Sequence, residues 1–102
     1  MKQIKGIDQK IAHWDDNFLQ DELPTFKKMF CNSLGMMKAN SGEEAILIYE
    51  LGGKIKNHYS SDIDLENAEF SLLYRCVNAN PSNLYAYFHA QLLKKLLPDE
   101  NK

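Results

Sequence analysis

Cys31 is the first residue whose type and neighbours could support chemistry. On a helical projection Lys27, Lys28 and Lys38 lie near its face, and ammonium groups stabilise the thiolate that makes a cysteine nucleophilic or redox-sensitive. It is the candidate reactive thiol. The same projection turns it away from Phe26, Ser33 and Met37, which also describes an incidental exposed thiol. Catalytic use would need a base beside it, and sequence does not supply one. Cys76 falls within an apolar seam and reads as an inert core thiol.

The other chemically competent residues are scattered. His13, His58 and His89 lie in three different predicted helices. There is no Cys-x-x-Cys, no His-Glu-x-x-His and no glycine-rich phosphate loop; Gly52-Gly53 alone is not one. Asp62-x-Asp64-x-Glu66 has the opening spacing of a calcium loop but lacks its mid-loop glycine and distal glutamate. Helix capping explains it better. The carboxylate pairs Asp15-Asp16, Asp21-Glu22 and Glu43-Glu44 fall at predicted helix ends, without the apolar surroundings that tune an acid or base. No catalytic residue, metal site or cofactor is expected, and the chain is read as a non-enzyme.

Elements able to position these residues are written more clearly. Asn80-Pro81 opens the strongest one, with Asn80 as N-cap, Pro81 at the first helical position and Pro98 as the stop. Its apolar residues form two seams, Tyr85-Phe88-Leu92-Leu96 and Ala86-Ala90-Leu93-Leu97. Two seams predict a helix contacted from two sides, at the centre of a bundle or at a subunit interface. The preceding helix is similarly two-sided, with Leu65, Ala68, Leu72 and Cys76 on one line and Phe70, Leu73, Tyr74 and Val77 on another. Asp64 is its expected cap. The two form a helical hairpin across a short connection.

Three earlier helices complete the reading. Ile4, Ile7, Ile11, Trp14 and Phe18 step by three and four, a narrow seam for an outer helix. Pro24 opens the next, whose face carries Phe26, Met29, Phe30, Ser33, Met36 and Met37. Ser41 and Glu44 match a capping box before Ala45, Ile48, Leu51 and Ile55. The expected fold is an all-α, single-domain bundle of about five helices over 3–18, 24–39, 42–58, 65–78 and 81–97. The alternative is α+β with a β-hairpin at 45–59, because residues 45–51 are rich in strand formers and Gly52-Gly53 could make the turn.

Composition bounds the function. In 102 residues, 44% hydrophobic and 25% charged content are ordinary globular values. The first sixty residues carry eight basic and eight acidic groups, the rest four and six, so neither part is basic. That disfavours nucleic-acid binding, which depends on phosphate neutralisation. No apolar run is long enough for a membrane span. Two distant cysteines and no apolar signal core point to the cytoplasm.

Missing chemistry motifs and surplus apolar helix surface point to a small protein-binding domain: an adaptor, an inhibitor or an immunity-type regulator that docks on a protein partner. Met36, Ile46, Tyr49, Tyr87, Leu93 and Leu97 are the candidate contact residues. A homodimer through the last hairpin belongs to the same reading. The alternative is a helix-turn-helix-like nucleic-acid regulator built on that hairpin. A ligand carrier within the bundle ranks third. In length and helical organisation the chain resembles the small helical immunity proteins of bacteriocin producers, in architecture only.

Overall fold

This computed structural model describes residues 1–12 and 23–97. The elements are β1 (Lys2–Ile4), α1 (Phe26–Met36), α2 (Gly42–Lys56), β2 (Ile63–Leu65), α3 (Asn67–Asn78) and α4 (Ala86–Leu96). The protein is mostly helical, with a small two-stranded sheet. His13, Trp14, Phe18, the two early carboxylate pairs and the Pro98 stop lie outside the described residues.

The first predicted helix is the main correction. Residues 2–12 contain no helix. β1 instead pairs antiparallel with β2, Ile4 opposite Ile63 and Lys2 opposite Leu65. A turn follows, in which Gln9 N donates to Gly6 O at 3.1 Å. Gly6 adopts φ +71°, a left-handed conformation that L side chains disfavour and that interrupts a right-handed helix. Ile7 N donates to Ser61 O at 2.7 Å, and Ile11 N to Pro24 O at 2.8 Å. The backbone groups that a helix would satisfy internally therefore find partners far along the chain. Ile4, Ile7 and Ile11 are all buried as the spacing implied, but along a strand, a turn and an extended segment.

α1 and α2 begin where local chemistry places them. Thr25 caps α1, its Oγ1 accepting from Lys28 N at 3.1 Å; Pro24, expected at the first helical position, lies one residue before the cap, because the threonine hydroxyl satisfies the free N–H. Ser41 caps α2 and accepts from Glu44 N at 3.1 Å. Residues 42–56 are continuous helix, so the hairpin alternative at 45–59 is excluded. An N-cap contributes about 1 kcal/mol, and the spacing of Ile48, Leu51 and Ile55 buries all three on one face.

α3 is capped by Glu66 rather than Asp64. Glu66 and Glu69 form a reciprocal capping box, with Glu66 N donating to Glu69 Oε1 at 2.8 Å. Asp64 is held in β2, where alternation buries Ile63 and Leu65 and leaves it exposed. α4 starts at Ala86, not at Pro81. Asn80 and Asn83 take positive φ, 48° and 53°, and Asn80 closes a loop: Leu84 N donates to its Oδ1 at 2.9 Å, while its Nδ2 donates to Leu84 O at 3.0 Å. Asparagine tolerates this conformation better than most residues.

α1 and α3 each pack against the other three helices; in α1, Phe30 and Leu34 are almost wholly buried. One apolar cluster draws on every named element. α3 and α4 pack together as expected. α4, however, buries one stripe, Leu92 and Leu96, while Ala86, Ala90 and Leu97 face outward. Its Gln91 clamps the N-terminal segment, accepting from Ala12 N at 3.1 Å and donating to Ala12 O at 3.0 Å.

Candidate functional site

α2 carries apolar residues beyond the face it buries. Successive helical residues are separated by about 100°, so Ile46 lies on the side opposite Ile48 and Ile55. It is 60% exposed. Leu47, on the flank toward α3, is 56% exposed, and Tyr49, on the flank toward α1, is 82% exposed. No other described helix exposes three large apolar side chains.

A groove runs along each flank. The one between α2 and α3 has a volume of about 620 Å3. Leu47 and Leu51 of α2 and Ala68 and Leu72 of α3 give it an apolar floor. Two ion pairs cross it: Lys54 Nζ lies 2.8 Å from Glu69 Oε1, and Arg75 Nη2 3.2 Å from Glu44 Oε1. The second contact is not aligned as a hydrogen bond, and Glu44 Oε1 is shielded from solvent with no other donor among the described residues. Burial raises the pKa of Glu69, but hydrogen bonds from Lys54 and the Glu66 backbone, together with the Lys54 charge, bring it below the ordinary carboxylate value.

The groove between α1 and α2 measures about 470 Å3 and is lined by Cys31, Leu34, Tyr49, Gly52, Gly53 and Lys56, among others. Cys31 is half-buried, and its thiol donates to Gly52 O at 3.6 Å. Burial pushes its pKa above the ordinary 9.0; the Lys27 and Lys56 charges oppose this without reversing it. The thiolate is thus disfavoured, and among the described residues no imidazole is hydrogen-bonded to the sulfur. Cys76 is fully buried and also raised by burial.

The described histidines serve the backbone. His58 Nε2 lies 2.7 Å from Asp62 O, and His89 Nε2 lies 2.8 Å from Val77 O. A carbonyl only accepts, so each Nε2 carries a proton. Among the described residues no three His, Cys, Asp or Glu side chains gather as a metal set, and no helix is long and apolar enough to cross a membrane.

The six predicted contact residues separate into groups. Ile46 and Tyr49 share the outer part of α2. Leu93 lies on α4 and is half-buried, while Leu97 is the residue that caps the C-terminus of α4 and is 52% exposed. Met36 ends α1 and is 57% exposed. Tyr87 is half-buried, edge-on to Phe88 at 5.8 Å between ring centroids. Leu47 and the Glu44–Arg75 and Lys54–Glu69 pairs were not legible as one site. Leu47's position off the Ile48–Leu51–Ile55 face was the only available signal. Cross-helix ion pairs leave no spacing pattern. Comparison with family models, curated proteins and solved structures finds no match for this chain.

Proposed function

We propose that this chain is a non-enzymatic protein-binding module, acting as an adaptor, inhibitor or immunity-type regulator, that docks on a protein partner through the outer surface of α2. The observation that carries this reading is the concentration of Ile46, Leu47 and Tyr49 on one helix, at 60%, 56% and 82% exposure. Exposed aromatic and aliphatic residues grouped on a rigid element are the usual anchors of a protein interface. The commitment of His58 and His89 to backbone carbonyls and the suppressed Cys31 thiolate favour docking over catalysis.

The helix-turn-helix alternative draws little from the same elements. The α3–α4 connection covers residues 79–85, longer than the three or four residues of that motif's turn. Lys95 is engaged over the Phe26 ring at 4.4 Å and donates to Gln9 Oε1 at 3.2 Å. Self-association through α4 is a subsidiary reading, resting on the outward-facing Leu97.

The test is affinity capture from the native host with the tagged wild-type chain and with Ile46→Asp and Tyr49→Ser. A partner held in stoichiometric amount by the wild type and lost by both variants, at unchanged far-UV spectra, is the expected result. No such partner, or one retained by both variants, overturns docking through this surface. Sedimentation shows whether a Leu97→Asp change alters the oligomeric state.

A further inference from the structure

The α2–α3 groove has a charge pattern as well as an apolar floor. Its lining includes four glutamates, Glu43, Glu44, Glu50 and Glu69, against the two cations Lys54 and Arg75. Both cations are taken by Glu69 and Glu44. Glu43 and Glu50 are exposed and have no ion pair among the described residues. They are seven positions apart on α2, two turns of one helix face, with Leu47 between them. At 1.5 Å per residue the carboxylate-bearing positions are separated by about 10 Å along the axis.

We infer that the docked partner presents a basic amphipathic helix to this groove: an apolar strip seated on the exposed Leu47 and the half-buried Leu72, flanked by two Lys or Arg residues about two turns apart that meet Glu43 and Glu50. This rests on the docking reading above and specifies the partner's chemistry. The groove runs along α2, whose 15 residues extend about 22 Å, enough for three to four turns of a second helix. An amphipathic helix can lay its apolar face on such a floor, and opposite charges at the rim set its register and exclude acidic competitors. A neutral or acidic segment would leave two carboxylates uncompensated at the edge of an apolar contact.

The probe is a fluorescent 15-residue peptide with leucines at helical spacing and two lysines seven positions apart, titrated into the full chain. Its counterpart carries glutamates in place of both lysines. The lysine peptide is expected to bind wild type, to weaken with salt, and to lose roughly tenfold in affinity against the Glu43→Lys/Glu50→Lys variant. The glutamate peptide is expected to gain affinity for that variant, a charge swap that general stickiness cannot produce. Glu43→Gln/Glu50→Gln serves if the charge-reversed chain does not fold, with a smaller loss expected. No binding of the lysine peptide, or equal binding to wild type and to the charge-altered variants, overturns the proposal. A dimer in solution that Leu47→Asp dissociates would put a second copy in the groove and also overturn it. A host partner lost with Ile46→Asp but indifferent to Glu43 and Glu50 overturns the basic helix and leaves the docking reading standing.

Discussion

Arg75 of α3 brings Nη2 to 3.2 Å from Glu44 Oε1 on α2, and the two ends of this pair are unequally solvated. The Arg75 side chain is 51% exposed, that of Glu44 only 16%. Removing Arg75 leaves a shielded carboxylate without its counter-charge, whereas neutralising Glu44 leaves a guanidinium still half in water. Arg75→Ala should therefore cost about 1–3 kcal/mol, because an unmatched buried charge is the expensive defect. Glu44→Gln should cost less than about 1 kcal/mol. Urea denaturation of both variants and the double variant checks the order; equal losses would refute the asymmetry.

Gly6 combines φ +71° with a tight neighbour, since a Cβ there would meet Gln9 Oε1 at 2.6 Å. The side-chain clash can be relieved because Gln9 can move; the backbone conformation cannot. Gly6→Ala should lower stability by about 1–2 kcal/mol. Adding Gln9→Ala should recover only the steric share. Full recovery in thermal melts would mean that the left-handed conformation carries no cost.

Glu69 both closes the α3 capping box and pairs with Lys54. Its folded pKa lies below the ordinary 4.5. The unfolded chain therefore takes up this proton first, and Glu69 contributes stability above about pH 4.5 that is lost as pH falls through the folded value. Glu69→Gln should flatten the acid limb of stability against pH. At pH 7 the same change should cost less than about 1 kcal/mol, because the glutamine oxygen can still accept from Glu66 N and only the partly exposed Lys54 pair loses its charge.

Cys31 and Cys76 have thiols raised above 9.0 by burial. The unfolded thiols ionise first, so their contribution is complete below about pH 9 and declines as pH rises through the folded values. Cys31→Ser should show a shallower alkaline decline than wild type. At pH 7.5 both native thiols should react with a disulfide reagent more slowly than in the denatured chain. A native Cys31 that reacts faster would restore the reactive-thiol reading.

Ile46 and Tyr49 have most of their surface in water already. Ile46→Asp and Tyr49→Ser should change stability by no more than about 0.5 kcal/mol. That separates lost docking from lost folding, and a large shift in melting temperature would remove these variants as probes.

Helices α1 to α3 were legible to within a few residues because their signals are local. Ser41 reads as a cap from its spacing to Glu44, and Ile48, Leu51 and Ile55 share a face whatever the rest of the chain does. Asn80 shows how a local signal can mislead. Asparagine serves both as an N-cap and in the left-handed region, and here it holds a loop that delays α4 to Ala86. Exposure of Ile46 followed from its place off the buried face. The Glu44–Arg75 contact did not, because it depends on how two helices lie against each other.

By itself the sequence determined that the chain is mainly helical, where α2 is capped, and that Ile4, Ile7 and Ile11 are buried. Periodicity, capping and hydrophobicity act between near neighbours or on single side chains, so they can be read from the order of residues. Tertiary structure alone decided that Lys2–Ile4 is a strand, since its ladder is supplied by Ile63–Leu65 far along the chain. It also decided that α1 and α3, rather than α4, carry the central packing, and that Glu43, Leu47 and Glu50 border a groove whose other wall is α3. Those outcomes depend on which surfaces meet, and no spacing within one segment encodes the partner that will satisfy it.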